Sequence, residues 1–259
     1  MKTAIIVITP HGLKVARKLQ EGLKADIYAP EEILTKDFTG IIGYRISTKE
    51  LVAGIWGRYD SLIFIMAIGI VNRIIKDCIQ DKYRDPAVVV VDEMGRYAIS
   101  TLCGHEGGAN RLSEKVALFC QGDFVITTGS EATKTLVVGI GCRRGIQADS
   151  LEEAMMNGLK CIGRELKEVR LIASVEDKRD EEGLFQLSER LNIPLKFIQK
   201  TLIKTVEDRF PRSELVKRSI GVYSVAEPCA MLGGFRCQLL LPKTRMKGIT
   251  IAISEERSL

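Results

Sequence analysis

Apolar positions in this chain follow two rhythms, short unbroken runs and stripes spaced three and four residues apart, and their alternation predicts an α/β protein. Residues 3–8 are continuous and β-branched, as in a strand buried on both faces of a parallel sheet. Pro10-His11-Gly12 turns the chain, and Leu13, Ala16, Leu19 and Leu23 recur at helical spacing. A strand over 26–29 and a helix over 48–56 follow. The apolar strand 61–66 ends at Ala67-Ile68-Gly69 before a helix over 70–79. Strands 87–91 and 96–100 flank Asp92-Glu93-Met94-Gly95, a hairpin signal. A helix from 109 to 119 and a strand over 124–127 complete the first pattern.

Gly129-Ser130-Glu131-Ala132-Thr133-Lys134 is a polar break that divides the chain into domains 1–130 and 131–259. Behind it lie predicted strands 136–140, 169–174 and 195–198 and helices 151–166 and 184–191. Helical stretches over 214–218 and 225–232 precede a strand pair over 239–241 and 248–253. The expectation is two α/β domains, each a mostly parallel or mixed sheet flanked by helices.

Composition narrows the function. Hydrophobic residues make up 46% and charged residues 27% of the 259, the balance of a soluble globular protein. The net charge of +5 is spread along the chain rather than gathered in a basic stripe, so no nucleic-acid partner is expected; small polyanions suit it better. The longest apolar run, 62–71, is about half a membrane span, and the N-terminal apolar run stops at Thr9-Pro10, so no membrane partner is expected. Seven cysteines lack Cys-x-x-Cys spacing, which points to free thiols in a reducing cytoplasm. With two histidines and no paired cysteines, no protein metal site is expected. There is no serine nucleophile elbow and no Walker loop.

The segment richest in chemistry is Gly104-His105-Glu106-Gly107-Gly108-Ala109-Asn110, between a predicted strand and a predicted helix. It offers an imidazole able to move protons near neutral pH, a neighbouring carboxylate, and glycine N–H groups at a helix start for an anion. The competing interpretation is a tight turn with an exposed histidine. His11 is a weaker candidate of the same kind. Gly139-Ile140-Gly141-Cys142-Arg143-Arg144-Gly145 is one residue longer than the dinucleotide fingerprint. It suits an anion clamp better, because guanidinium forks pair with carboxylates, and a solvated turn remains the alternative. Cys142 is either a thiol activated by the helix start and Arg143 or a small buried residue. Residues 176–182 form a charge run, usually a solvated face, although its place after a strand brings Lys178 toward a site. Gly69, His105 and Cys142 all follow predicted strands, where ligands of such folds gather.

An ordered series of motifs along nearly the whole chain is more specific than either glycine loop alone. Met66-Ala67-Ile68-Gly69-Ile70-Val71-Asn72-Arg73, Asp85-Pro86-Ala87-Val88-Val89-Val90-Val91-Asp92 and the histidine loop resemble the N-terminal domain of the cobalamin biosynthesis protein CbiG family. Val138 to Gly145, Ala173-Ser174 with Lys178-Arg179-Asp180-Glu181, Val225-Ala226-Glu227 and Thr250-Ile251-Ala252-Ile253 resemble its C-terminal domain, which is similar to the small CobE family. The resemblance implies a cobalt-precorrin-5A hydrolase of the anaerobic route to vitamin B12. Such an enzyme opens the ring lactone and releases acetaldehyde to give cobalt-precorrin-5B. Lactone hydrolysis needs a base to activate water and an acid to help the leaving group, and His105 and Glu106 are the residues expected to supply these roles. The polycarboxylate tetrapyrrole is expected on Gly69 and Arg73, on Gly104, Gly107, Gly108 and Asn110, and on Gly139, Gly141, Cys142, Arg143, Arg144, Gly145 and Lys178. The cobalt belongs to the substrate, so no cofactor is implied, and other enzymes of the pathway are the expected protein partners. A non-catalytic corrinoid carrier is the alternative, and a nucleotide-dependent enzyme is a third possibility from the glycine loops alone. One departure stands out: relatives carry a middle segment, whereas here Phe124-Val125-Ile126-Thr127-Thr128 runs almost directly into Leu136-Val137-Val138-Gly139.

Overall fold

A computed structural model describes residues 1–34 and 39–258. The chain divides into two compact units, Met1–Thr128 and Gly129–Leu259.

The first unit contains β1 (Thr3–Val7), α1 (Pro10–Leu23), β2 (Asp26–Pro30), β3 (Ile42–Tyr44), α2 (Thr48–Ile55), β4 (Ser61–Ile65), α3 (Ile68–Ile75), β5 (Ala87–Val91), β6 (Tyr97–Leu102), α4 (Ala109–Cys120) and β7 (Asp123–Val125). They form a seven-stranded sheet in the order β3-β2-β1-β4-β5-β6-β7. The unbroken apolar runs are strands with both faces covered. In β4, Ile63 and Ile65 pack with Leu13, Ala16 and Leu19 of α1 and Leu112 and Val116 of α4. Leu62 and Phe64 pack with Val52 of α2 and Val71 and Ile75 of α3 on the other face. Helix starts are locally encoded: Thr9 Oγ1 accepts from Gly12 N at 3.1 Å ahead of Pro10, and Ser47 with Glu50 closes a capping box.

Direction within this sheet governs where loops emerge. Strands β1 to β5 are mutually parallel through their neighbours, but β6 runs antiparallel to β5, with Val88 opposite Leu102 and Val91 opposite Ala98. The loops after β1 and β4 therefore open at one edge of the sheet, and the loop after β6 opens at the other.

The second unit contains β8 (Leu136–Cys142), α5 (Ala148–Cys161), β9 (Val169–Val175), α6 (Glu182–Leu191), β10 (Leu195–Ile198), α7 (Lys200–Lys204), α8 (Glu214–Ile220), α9 (Ala226–Gly233), β11 (Cys237–Met246) and β12 (Ile249–Glu256). The five strands lie in the order β10-β9-β8-β12-β11, the first three parallel and the last two antiparallel to their neighbours. Leu136, Val138 and Ile140 face α5 and α6. The opposite face of β8 carries Gly139, and α9 lies on it: a Cβ there would stand 1.9 Å from the carbonyl oxygen of Ala226.

Five elements differ from expectation. Strand β3 went unread because it has three residues with glycine at its centre, and α7 because it is one short turn and a half. The expected helix over 70–79 begins at Ile68 and ends at Ile75, so Gly69 lies in its first turn. The expected helix over 151–166 stops at Cys161, beyond which Gly163 takes φ +66°. Strand β11 is much longer than 239–241; Pro242 sits inside it within the second of two register irregularities, between Leu241 and Thr244, tolerated because this is an edge strand.

The contact between β8 and α9 predicts opposite outcomes for two glycine replacements. G139A should lower stability by about 2–4 kcal/mol, since backbone atoms must move aside. G54A, in α2 with open space around it, should raise stability by about 0.5–1 kcal/mol. Thermal melts of the two variants check both signs.

Candidate functional site

The histidine loop is a self-contained turn. Cys103 adopts φ +54° and Gly108 φ +84°. Gly107 N and Ala109 N both donate to Cys103 O, and Asn110 N donates to Gly104 O at 3.0 Å. The start of α4 is thus capped by the loop's own carbonyls. Of the anion cradle expected at the Gly107-Gly108 backbone, Gly107 N is already engaged by the chain, because the loop folds back one turn before the helix begins. Asn110 is buried and engaged on both sides: Oδ1 accepts from Ser100 Oγ at 2.7 Å and Nδ2 donates to Thr128 Oγ1 at 3.1 Å. It fastens β6, the loop and the segment after β7. A Cβ on Gly104 would lie 2.7 Å from Asn110 Oδ1, and one on Gly107 would lie 2.5 Å from Cys103 Cβ. These glycines serve the tightness of the turn.

This frame presents His105 and Glu106 to solvent. The ring of His105 takes no hydrogen bond among the described residues. Glu106 is held by Lys82 Nζ at 2.8 Å, and that hydrogen bond keeps its carboxyl below the usual glutamate range. Glu106 is therefore an ionised neighbour of the imidazole rather than a proton donor near neutrality. Sequence inspection missed Lys82, which lies in the loop before β5; only the pairing of β5 with β6 brings it here.

Gly69 and Arg73 lie elsewhere. Gly69 is exposed in the first turn of α3, beyond the end of β4, with Arg73 exposed one turn further along the helix. His11 is also at that edge, in the first turn of α1. The sheet order reverses between β1 and β4, the topological switch point at which ligands of such sheets bind. Gly69 and the histidine loop, both expected just after strands, thus emerge at opposite edges, because β6 is antiparallel to β5.

In the second unit the glycine-arginine loop is also partly engaged. Gly139 and Gly141 lie within β8, where a Cβ would meet Ala226 O at 1.9 Å and Thr250 Oγ1 at 2.5 Å respectively, so their bareness serves packing. Gly145 N donates to Glu181 Oε1 at 2.8 Å. Glu181 Oε2 also receives Lys178 Nζ at 3.3 Å, and both side chains are buried. The charge run is therefore not simply a solvated face, and Lys178 is committed to an internal pair. Arg144 pairs with Asp180 at 2.5 Å on the exposed surface. Arg143 is exposed and has no ion pair among the described residues.

The thiols of the two glycine loops are not activated. Burial pushes Cys142 up to about 11 and raises Cys103 as well. That burial disfavours a nucleophilic Cys142 near neutrality, and the nearby Lys178 only partly offsets it. Among the described residues no group of three His, Cys, Asp or Glu side chains is placed to hold a metal ion. No described helix is long and apolar enough to cross a membrane.

Comparison with known proteins places both units. The family model described as cobalamin synthesis G N-terminal matches residues 50–131, and that described as cobalamin synthesis G C-terminus matches 136–254. A Priestia megaterium protein named cobalt-precorrin-5A hydrolase is 24% identical over 352 aligned positions, covering 97% of this chain and 94% of that protein. A Salmonella typhimurium protein of the same name is 26% identical over 342 positions, covering 96% of each. The crystal structure of CobE, described as a protein from the cobalamin (vitamin B12) biosynthetic pathway, is 36% identical with a TM-score of 0.45, covering 48% of this chain and 91% of that one. The hydrolase alignments are longer than the 259-residue chain, and only residues 132–135 separate the two family models, so the relatives carry a stretch that this chain lacks.

Two measurements check the electrostatics of these loops. In K82Q, carboxyl titration followed by NMR should show Glu106 ionising at higher pH than in the parent, because the ammonium that favours the charged form is gone. Alkylation at pH 8 should label the exposed Cys161 and leave Cys142 unmodified. Cys142 should react only as the pH approaches 11; rapid labelling at pH 8 would mark it as an activated thiol.

Proposed function

The chain belongs to the cobalamin synthesis G family, and on that premise we propose that it hydrolyses cobalt-precorrin-5A in cobalamin biosynthesis, opening the ring lactone and releasing acetaldehyde to leave cobalt-precorrin-5B. The observation that carries this conclusion is the match of nearly the whole chain to proteins named for that hydrolysis.

The chemistry asks for few protein groups. Water must lose a proton as it attacks the lactone carbonyl, and the departing alkoxide must gain one. His105 takes the first proton and returns it to the alkoxide. Glu106, kept ionised by Lys82, stabilises the imidazolium formed between those steps. The products are a carboxylate and a secondary alcohol. When the alcohol collapses to a carbonyl, the carbon–carbon bond to the macrocycle breaks. The bonding pair passes to the macrocycle, which takes up a proton, and acetaldehyde leaves. Cobalt arrives and departs with the substrate.

Substrate carboxylates are met by guanidinium groups. Arg143 is exposed to receive them, whereas Arg73 follows β4 at the sheet edge opposite the histidine loop. Arg144 exchanges its pairing with Asp180 for a substrate carboxylate at little cost, since an exposed ion pair is worth only about 0–1 kcal/mol. Lys178 does not join them, its pairing with Glu181 being internal. Cytoplasmic residence belongs to the same proposal, supported by seven free cysteines.

The test is acetaldehyde release from cobalt-precorrin-5A by the purified chain. Turnover should be detected, and H105A should slow it by about 10²-fold or more with macrocycle binding retained. H11A should leave it nearly unchanged; the reverse pattern would move the chemistry to the opposite sheet edge. Combined R143A and R144A should weaken substrate binding, with the loss shrinking at high salt. Tight binding of an unaltered macrocycle, with no aldehyde released, would identify a carrier instead.

A further inference from the structure

The run Glu176-Asp177-Lys178-Arg179-Asp180-Glu181-Glu182 follows the end of β9, and nearly all of its charges are settled internally. Glu176 accepts from Lys200 N at 2.9 Å, and Asp177 pairs with Lys200 Nζ at 3.0 Å. Asp180 holds Arg144, Glu181 holds Lys178 and Gly145 N, and Glu182 accepts from Gln186 at 2.9 Å. Arg179 is the exception. It is half-buried, its Nε is buried without a hydrogen-bond partner, and no carboxylate among the described residues engages its guanidinium.

A buried donor without an acceptor is destabilising, typically by more than a formed hydrogen bond gains. Five carboxylates lie within three residues of Arg179 in sequence, and each has another partner. A guanidinium left over in such acidic surroundings is positioned for an acceptor that the chain does not supply. The register adds a second guanidinium. Gly139 of β8 pairs with Ala173 of β9, so Arg143 and Arg179 leave neighbouring parallel strands at the same edge of the five-stranded sheet. Arg143 likewise has no ion pair among the described residues.

We propose that Arg179, together with Arg143, forms a carboxylate-binding site at the carboxyl end of β8 and β9, with Arg179 fixing one acidic side chain of the substrate macrocycle. The carboxylate chemistry follows from the two guanidiniums, and the macrocycle as its bearer rests on the hydrolase function proposed above. Arg179 is a binding residue whose acceptor arrives with the ligand. Lys178, its neighbour in sequence, is a structural cation that positions Glu181 and the Gly145 turn.

The experiment titrates the full chain with uroporphyrin, a macrocycle bearing eight carboxylates, followed by absorbance and repeated across ionic strength. R179M should weaken binding by about tenfold or more, the scale of a lost charge-assisted contact, with the deficit shrinking as salt rises. R179K should recover part of it. K167M removes one charge at the opposite end of β9 and should bind as the parent does. The melting temperature of R179M should be unchanged or higher, since the substitution removes an unsatisfied donor rather than a contact. Parent-like binding by R179M, an equal loss in K167M, or a lowered melting temperature with R179K restoring stability but not affinity would each overturn the proposal. Turnover of cobalt-precorrin-5A separates this outcome from the fate of the function itself. Arg179-dependent uroporphyrin binding without turnover keeps the site and removes the hydrolase. Turnover with Arg179-independent binding does the reverse.

Discussion

The antiparallel pairing of β6 with β5 is the constraint on which the geometry of the first unit depends. Had β6 continued the parallel order, the histidine loop would emerge beside the loops after β1 and β4, at the switch point. Instead Val88 stands opposite Leu102, and the loop emerges where β5 begins. That placement brings Lys82 to Glu106 and separates both from Gly69 and His11. The hairpin is fixed locally. Asp92 Oδ1 accepts from Arg96 N and Tyr97 N, and Gly95 supplies the positive φ that the turn requires. A five-residue turn thus decides which titratable groups can meet twenty ångströms away in the same sheet, about the length of one strand.

Both units share a second constraint, the satisfaction of loop backbone by the chain itself. Short loops between strand and helix leave N–H groups exposed at the helix start. In the first unit the carbonyls of Cys103 and Gly104 take these donors. In the second, Glu181 takes Gly145 N and balances Lys178 in the same contact. A buried carboxylate with only one of these partners would be poorly compensated; with both, the pair is held and the loop is rigid. The glycines look like ligand-approach positions in the sequence because the residue type is the same whether a ligand or a neighbouring helix needs the space.

Much of the architecture was legible. Continuous β-branched runs such as residues 3–8 and 87–91 are strands because both faces of each sheet are covered, and helical stripes such as Leu13, Ala16 and Leu19 are the buried faces of helices. The loops and their residue types were legible too. Strand order and direction were not, because they arise from pairings between residues far apart in sequence, such as Ile5 with Ile63. The roles within the glycine loops were hidden for the same reason. Asn110 reads as a ligand contact until Ser100 and Thr128 are found at its amide, and Lys178 reads as a free cation until Glu181 is found beneath it. Arg179 shows the converse. Within a run of seven charged residues nothing marks it out, and only the pairing of all its neighbours leaves it conspicuous.

When backbone donors are taken, recognition of a polyanion passes to side chains. Helix-start amides bind an anion in one fixed position, whereas guanidinium groups on exposed turns can follow a carboxylate on a flexible arm. A macrocycle with many acetate and propionate arms presents that kind of ligand. Each exposed contact is weak and screened by salt, and affinity accumulates over several of them. A half-buried arginine differs, since its surroundings exclude part of the competing water. One such residue among exposed ones can set the register of the ring while the others add attraction. The distribution in the second unit, with Arg143 and Arg144 exposed and Arg179 half-buried, has that form.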